Sequence, residues 1–502
     1  LVESNDFGAQ VRTAGGAPTI HDHLFPAANT GIAHLLGFSE DVILKHQQML
    51  EDSLRVDLVG VRKDGRIDGE LIAPIRPVVP ALEPGREYLL QAVIRTLTLG
   101  HMFTQGTSDS NEIWMAAEVR LNGELIGRSG GLDPVDGRVD PWSHFVNNWM
   151  LDRDGNRIDR RNAEDIFVPL YNHQIPPGAA DVVHYRLAVP PAAEGELTVR
   201  LKLAYRKFDT TLMRHVKGET FVYNDLPITV MAEDMVTFPV GFDARPERQA
   251  APDIPEWQRF NDYAIGALRK PERRQLRQAE VLFAEVEQRG MGVGALNLAR
   301  VYLEEGRLDE AAEALRRARN HPNPPPAWSM AWFSGQLLFQ QGQFEQALVA
   351  YNALAETQFS EARERGFDFS RDYRLLNQIG LTWLQIAQSA EAPAALDAQH
   401  QAVDWFARTL IEDPENTVAH YNLDLLYRQL GQAPRAAYHA AEYARYRIDD
   451  NARDRAIAAA RRANPAANHA ADPVVIYDLH RPDALQFSLP VRIEPNPTRV
   501  AQ

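Results

Sequence analysis

The sequence predicts a multidomain α+β protein in which an N-terminal antiparallel β-sandwich precedes an all-α solenoid of helical repeats. Three observations predict it. Over the first 250 residues apolar and polar residues alternate in several runs, the period of strands with one buried face. Beyond residue 257 that period gives way to a frame of small and aromatic residues that recurs in four stretches. Between the two lies Arg245 to Glu256, with Pro246, Pro252 and Pro255, a composition suited to a linker.

In chain order, residues 1–55 are expected to form a segment with a loop and one helix, 56–244 the sandwich, 245–256 the linker, 257–464 the repeat domain and 465–502 an extended tail. The helix falls between Ser39 and Asp52. Ser39 suits its N-cap, and Glu40 and Asp41 set negative charge against the positive end of the helix dipole. Leu89 to Leu97 reads as a strand. Ile113, Met115, Ala117, Val119 and Leu121 mark another, and Asn122-Gly123 supplies the two residues of a hairpin turn. Val183, Tyr185, Leu187 and Val189 mark a further strand. So do Leu197, Val199, Leu201, Leu203 and Tyr205, set against Thr198, Arg200, Lys202 and Arg206. Ile228 to Phe238 adds one more. Six or more antiparallel strands suggest a sandwich of immunoglobulin-like type, whose topology the pattern does not specify.

In the helical half, Ala299, Tyr302, Gly306, Ala311 and Ala318 stand at offsets of 3, 7, 12 and 19, with Pro322 closing the unit. The frame returns 36 residues later as Gly335, Leu338, Gly342, Ala347 and Tyr351. Gly380, Trp383, Ala402 and Phe406 continue it if about ten residues around Gln388 to Ala398 are inserted between the helices; Tyr427, Gly431 and Ala436 restore the register. Small residues let paired helices approach closely, and an aromatic fills the gap between successive pairs. Gly306, Gly342 and Gly431 fall where the first helix of a pair must end, a position that favours positive φ. An imperfect pair runs from Trp257 through Tyr263 and Gly266 to Ala279 and Phe283, and the helix Ala452 to Ala463 reads as a polar cap. The pattern resembles the tetratricopeptide repeat, whose period is about 34 residues.

With 502 residues, 45% of them hydrophobic, and a mean hydropathy of −0.36, the chain has material for about two to four domains. No apolar run approaches the roughly 18 residues of a membrane span. A net charge of −15 disfavours nonspecific binding to nucleic acid or anionic lipid and suits a basic partner. Only six of the 53 basic residues are Lys, a bias that a GC-rich genome explains. The absence of Cys excludes disulfides, thiolate metal sites, thiol nucleophiles and covalent haem attachment in this sequence. Leu1 in place of Met, with no charged-then-apolar leader behind it, is what a processed or truncated product would show.

Several phrases in the β half carry a second resemblance. HDHLFPAANT (His21 to Thr30), GHMFTQGTSDSNEIW (Gly100 to Trp114), SGGLDPVDGRVDPWSHF (Ser129 to Phe145), LDRDGNRIDRRNAEDIF (Leu151 to Phe167) and NHQIPPGAADVVHYRL (Asn172 to Leu187) resemble the haem-distal part of exported multihaem c-type cytochromes with C-terminal tetratricopeptide repeats. In that family the Cys-x-x-Cys-His motifs lie upstream of these phrases. The resemblance therefore implies a haem-bearing part that is cleaved away or carried by another chain, or a haem-less relative that keeps the scaffold. It further implies a periplasmic or extracellular location and a multihaem cytochrome as partner. No cofactor would be bound covalently by this chain, but it would contact haem c of a neighbouring or upstream segment. His23 matches the family's His-x-Phe before Ala-Asn-Thr, and His101 its Gly-His-x-Phe, with Thr104 where Pro is usual. Either could offer a neutral imidazole to a neighbouring haem iron. The plainer alternatives are that His101 bonds a turn carbonyl and His23 caps a loop.

Asp133, Asp136 and Asp140, and separately Asp152, Asp154, Asn156 and Asp159, gather oxygen donors as a calcium loop would. Gly155 sits fourth instead of sixth in its loop and no Glu closes it, so turn formation is the preferred reading. No phosphate-binding loop, nucleophile elbow, zinc-binding His-Glu-x-x-His or dinucleotide fingerprint is present, and catalysis by this chain is not expected. An enzyme here would need a pocket gathering His101, His144, His173 or His184. In repeats of the type resembled, exposed positions of each first helix line the concave face. The frame places there Arg300; Trp332, Gln336 and Phe339; Arg374 and Asn377; and Tyr421, Arg428 and Gln429. Such a groove suits an extended peptide or protein edge. For Trp332 and Phe339 packing against the inserted segment or the β domain is the preferred reading. The expected function is a non-catalytic protein-binding scaffold or docking subunit of a multihaem cytochrome assembly in the cell envelope, the alternative being a general repeat adaptor without a redox role.

Overall fold

A computed structural model describes residues 2–3, 16, 18–20, 25–104, 108–271, 275–364 and 366–488. The chain forms two compact units, Leu1–Pro252 with Ala456–Gln502, and Asp253–Arg455.

The first unit is β-rich. It contains β1 (Val2–Glu3), β2 (Thr19–Ile20), α1 (Thr30–Leu35), α2 (Glu40–Leu50), β3 (Leu54–Lys63), β4 (Leu71–Ile72), β5 (Val78–Val79), β6 (Glu87–Thr96), β7 (Glu112–Leu121), β8 (Glu124–Ser129), β9 (His144–Phe145), β10 (Asn148–Leu151), β11 (Val168–Asn172), β12 (Ala180–Ala188), β13 (Gly195–Arg206), α3 (Thr210–Lys217), β14 (Ile228–Val240) and β15 (Glu247–Arg248). The second unit contains the pairs α4 (Glu256–Leu268) and α5 (Leu276–Gln288), α6 (Gly292–Glu305) and α7 (Leu308–Arg319), α8 (Ala327–Gln340) and α9 (Phe344–Glu356), then α10 (Ser360–Glu364), then α11 (Tyr373–Ser389) and α12 (Ala394–Glu412), and α13 (Thr417–Gln429) and α14 (Ala433–Tyr446). α15 (Asp450–Ala463), α16 (Pro465–Ala470) and β16 (Ile476–Asp478) complete the chain order.

Two sheets share the main core of the first unit, one ordered β16-β12-β6-β3-β4 and the other β14-β13-β7-β8 with β9 beside β7. The alternation read in β13 holds: Leu197, Val199, Leu201, Leu203 and Tyr205 all enter that core, as do Ile113, Met115, Ala117 and Val119 of β7. Asn122 and Gly123 turn the β7–β8 hairpin with φ of 50° and 86°, the left-handed pair that a two-residue turn needs to match strand twist. Neither sheet closes, and the strand order contains pairings that alternation alone does not specify. β3 alternates only from Leu54 to Leu58, because a bulge between Leu58 and Gly60 then shifts its register and both of its faces are buried. Ser39 precedes α2 in extended conformation, yet its side chain makes no capping bond.

Two expectations need correction. The tail is not simply an extended appendage: 465–470 is helical, β16 adds a parallel strand to β12, and Tyr477 and Leu479 are buried in the core. The linker is partly tied down, since β15 pairs with β5 and the Gln249 amide exchanges hydrogen bonds with both backbone groups of Thr237. Tyr477 packs against Tyr185, with ring centroids 5.8 Å apart, and its burial adds to the pairing of β16 in holding the tail.

Buried charge also organises this unit. The Arg206 side chain donates to the Glu112 carboxylate, 2.9 Å from Nε, and to the Asn224 and Gly137 carbonyls. Burial pushes the Glu112 carboxyl up to about 7, against the pull of Arg206. The folded value exceeds the unfolded one, so its contribution to stability is complete below about pH 4.5 and is lost as pH rises to about 7. The span corresponds to at most about 3 kcal/mol. Urea midpoints measured from pH 5 to 8 should therefore fall more steeply for the wild type than for Glu112→Gln; parallel slopes would refute this.

The second unit is five consecutive antiparallel helical pairs among the described residues. Gly306, Gly342 and Gly431 take φ of 73°, 74° and 70°, which ends the first helix and starts the turn. The small-residue positions have a steric cause. A Cβ on Gly335 would stand 2.4 Å from the Tyr351 ring, and one on Gly380 would stand 2.9 Å from the Phe406 ring. The ten additional residues of the third pair do not form a loop between its helices. They lengthen the helices to 17 and 19 residues, against 13 and 14 in the following pair. A separate insertion before α11 carries Phe359, Phe367 and Phe369, whose rings make edge contacts with one another and with Trp328. The helix read as a polar cap buries Ala456 and Ala460 with Leu151, Val168 and Tyr171. Its small face permits that approach.

Candidate protein-binding groove

The frame that sets the small residues also sets which positions of each first helix face away from the paired helix. On α13 these are Val418, Tyr421, Leu425 and Arg428, spaced three, four and three residues apart, which is one stripe of a helix. Tyr421 is 46% exposed, Val418 43% and Leu425 36%. Apolar side chains in a row on a helix are normally covered, and this row is not. Tyr421 is held from one side by Tyr443, with ring centroids 5.3 Å apart. Arg428 is held at the end of the stripe by Asp424, Nε donating to Oδ1 at 2.7 Å. Beside it the exposed Gln429 accepts from Gln399 at 3.1 Å. Val418 and Leu425 escaped the sequence reading, although the same frame points to them.

Arg374 is exposed at the start of α11, with its guanidinium 5.7 Å from the Tyr373 ring. Asn377 is not a surface group. It is buried and donates to Asn416 Oδ1 at 2.9 Å, and Asn416 caps α13 by accepting from Ala419 N–H. Asn377→Ala should therefore cost stability, about 1–3 kcal/mol, in thermal or urea unfolding. A change below 0.5 kcal/mol would contradict the assigned role.

The earlier pairs present less. Arg300 is half-buried, donating to Asn297 Oδ1 at 2.9 Å and lying 5.3 Å from the Phe333 ring. Gln336 is half-buried on α8. Trp332 packs on Tyr351 at 5.8 Å and Phe339 on Phe344 at 5.5 Å. Both neighbours lie on α9 of the same pair, so these ring contacts are made within the repeat itself. The exposed face therefore concentrates on α11 and α13.

In the β-rich unit, His23 lies outside the described residues. His101 is exposed, and its Nδ1 donates to the Met102 carbonyl at 2.9 Å, so a neutral ring keeps its lone pair on Nε2. His144 and His173 stack at 5.2 Å, and His144 Nε2 is 3.6 Å from Asp181 Oδ2, a juxtaposition that sequence spacing does not show. His184 sits on β12 opposite Gln91. None of these four histidines lines the cavity bounded by Trp142, Trp149 and Tyr171. The Asp-rich segments are turns: Asp133, Asp136, Asp140 and Asp152 each accept a backbone N–H two residues on. Among the described residues no group of three His, Asp or Glu could hold a metal ion, and no helix is long and apolar enough to cross a membrane.

Comparison with solved structures finds MamA from residue 41 onward from Desulfovibrio magneticus RS-1, 14% identical, covering 38% of this chain and 94% of that one with a TM-score of 0.30. It also finds MamA of AMB-1, 20% identical over 38% and 96% with a TM-score of 0.28. YrrB, described as a TPR protein with an unusual peptide-binding site, is 15% identical over 39% and 88% with a TM-score of 0.29. No curated protein matches. None of these comparisons supports the cytochrome resemblance. The family model of the tetratricopeptide repeat matches residues 293–332, which lie within the helical unit from α6 into α8.

Proposed function

We propose that the chain is a non-catalytic protein-binding scaffold that holds an extended segment of a partner protein along α11 and α13. The uncovered stripe Val418, Tyr421 and Leu425, with Arg428 at its end and Arg374 on α11, carries this reading. Apolar side chains supply affinity, and the guanidinium groups choose the register of an acidic or amide-rich segment. We further propose that the β-rich region, as a sandwich of immunoglobulin-like type, docks on a multihaem c-type cytochrome in the periplasm or outside the cell. The five phrases quoted above support this, as does the exposed position of His101.

Photo-crosslinking from positions 421 and 101 in native extracts tests the two parts separately. A product from 421 that Arg428→Glu abolishes supports the groove, and an intact assembly free of c-type haem peptides would overturn the cytochrome pairing while leaving the groove standing. The double change Tyr421→Ala with Arg428→Glu should weaken partner binding at least tenfold, roughly 1.4 kcal/mol. Its thermal midpoint should stay near the wild-type value, because both side chains are exposed. Unchanged binding would exclude this face.

A further inference from the structure

Two imidazoles join the helices of the last pair. His420 of α13 is buried, His439 of α14 is half-buried, and their Nδ1 atoms lie 2.9 Å apart. The surroundings fix which nitrogen carries a proton. His420 Nε2 lies 3.0 Å from the Pro414 carbonyl, which can only accept, so Nε2 is protonated and donates. Neutral His420 then has its lone pair on Nδ1, and the bond between the rings is His439 Nδ1–H donating to His420 Nδ1. Aromatic rings close the pair in. Tyr427 stacks on His439 at 5.6 Å, and Tyr438 and Tyr446 stand 6.4 Å and 6.2 Å from His420.

This arrangement accepts one proton and refuses a second. A proton added at His439 Nε2 leaves the bond in place. The next can enter only at His420 Nδ1, where it meets the Nδ1–H of His439, so the bond is lost and two cations face each other. The charged neighbours come from both helices. Asp424 of α13 and Glu442 of α14 act on His439, and Arg428 and Arg445 pair with those carboxylates. Around His420 stand His439, the Pro414 carbonyl from the turn before α13, and the Arg445 guanidinium, 5.1 Å from the Tyr446 ring. Burial, followed by the effect of His420, holds the His439 imidazole below its ordinary value of 6.5 against the pull of the two carboxylates. The folded pair therefore binds fewer protons than two separated rings. Its contribution to stability is complete above about pH 6.5 and is lost as pH falls. The same two helices shape the groove, since Tyr443 holds Tyr421 and Asp424 holds Arg428.

We propose that the bond between His420 and His439 is a pH-sensitive latch, which holds α13 against α14 at neutral pH and opens the last pair at about pH 5, loosening the groove. The effect on the groove rests on the function proposed above; the latch itself does not, so the two can fail apart. Hydrogen exchange of the full chain at pH 7 and pH 5, corrected for the intrinsic exchange rate, reads the latch. α6 and α7 contain no histidine and serve as the reference within the same molecule. Protection of residues 417–446 relative to 292–319 should fall at least about twentyfold, the factor for taking up one additional proton at an ordinary histidine pKa of ~6.5. In His420→Gln one amide can both donate to Pro414 and accept from His439, and most of that fall should disappear. The double variant His420→Gln with His439→Gln cannot take up a proton at either position and should fall less than threefold. A smaller fall in the wild type, or an equal one in the double variant, would overturn the latch. Photo-crosslinking from position 421 in native extracts reads the consequence, and its yield should drop at least fivefold between pH 7 and pH 5 in the wild type alone. Equal yield at both values while protection falls would overturn the effect on the groove. No product at either value would overturn that effect together with the groove itself, and exchange would still decide the latch.

Discussion

Gly335→Leu is expected to unfold the second helical pair and lower the stability of the helical unit by more than about 3 kcal/mol, above the usual range for overpacking. Even the first added atom has nowhere to go, since a Cβ at 335 would lie 2.4 Å from Tyr351 Cε1 and 2.8 Å from its Cδ1. Tyr351 is fully buried and cannot swing away, because Trp332 packs against it and Leu354 and Leu375 share its cluster. The milder Gly335→Ala is the sharper test. Alanine favours a helix over glycine by about 1 kcal/mol, so a net loss can come only from the clash. Shrinking the ring with Tyr351→Leu in the same chain should recover part of that loss. In a repeat array each pair is supported chiefly by its neighbours, so the damage spreads. Helical circular dichroism against urea reads it out, and Gly335→Ala at or above wild-type stability would refute the account.

Arg206→Met is expected to cost about 3–5 kcal/mol. The guanidinium is fully buried and serves Glu112 together with the carbonyls of Gly137 and Asn224; its removal strands all three. Without the positive charge Glu112 is held still more firmly in its neutral form, so the loss should grow as pH rises from 5 to 8. Combining the change with Glu112→Leu removes the stranded carboxyl and should restore part of the stability. A double variant no better than Arg206→Met alone would show that the carbonyls, and not the ion pair, set the cost.

How legible these features were depended on the range of the interaction. The hairpin at Asn122-Gly123 and the alternation of β13 needed only neighbours two residues apart, and both stand in the structure. β3 escaped because its bulge interrupts the period and both faces are covered. In the groove, Tyr421 and Arg428 were named from the frame and are exposed, whereas Asn377 was named from the same frame and is buried by a bond to Asn416, 39 residues away. The cavity left no local signal. It joins Glu112, Trp149, Tyr171, Asp209 and Ala467 from five separate parts of the chain.

The sequence by itself determined the helical pairs, their turns and the close contacts at Gly335 and Gly380, because steric fit within a repeat is written at fixed short offsets. It determined the alternating strands for the same reason. Only the tertiary structure decided that the tail returns to pair with β12, that ten additional residues lengthen two helices, that Asp181 faces His144, and where a cavity opens. Those outcomes depend on burial and pairing between distant segments, and no periodic pattern in a chain records which distant surface will cover it.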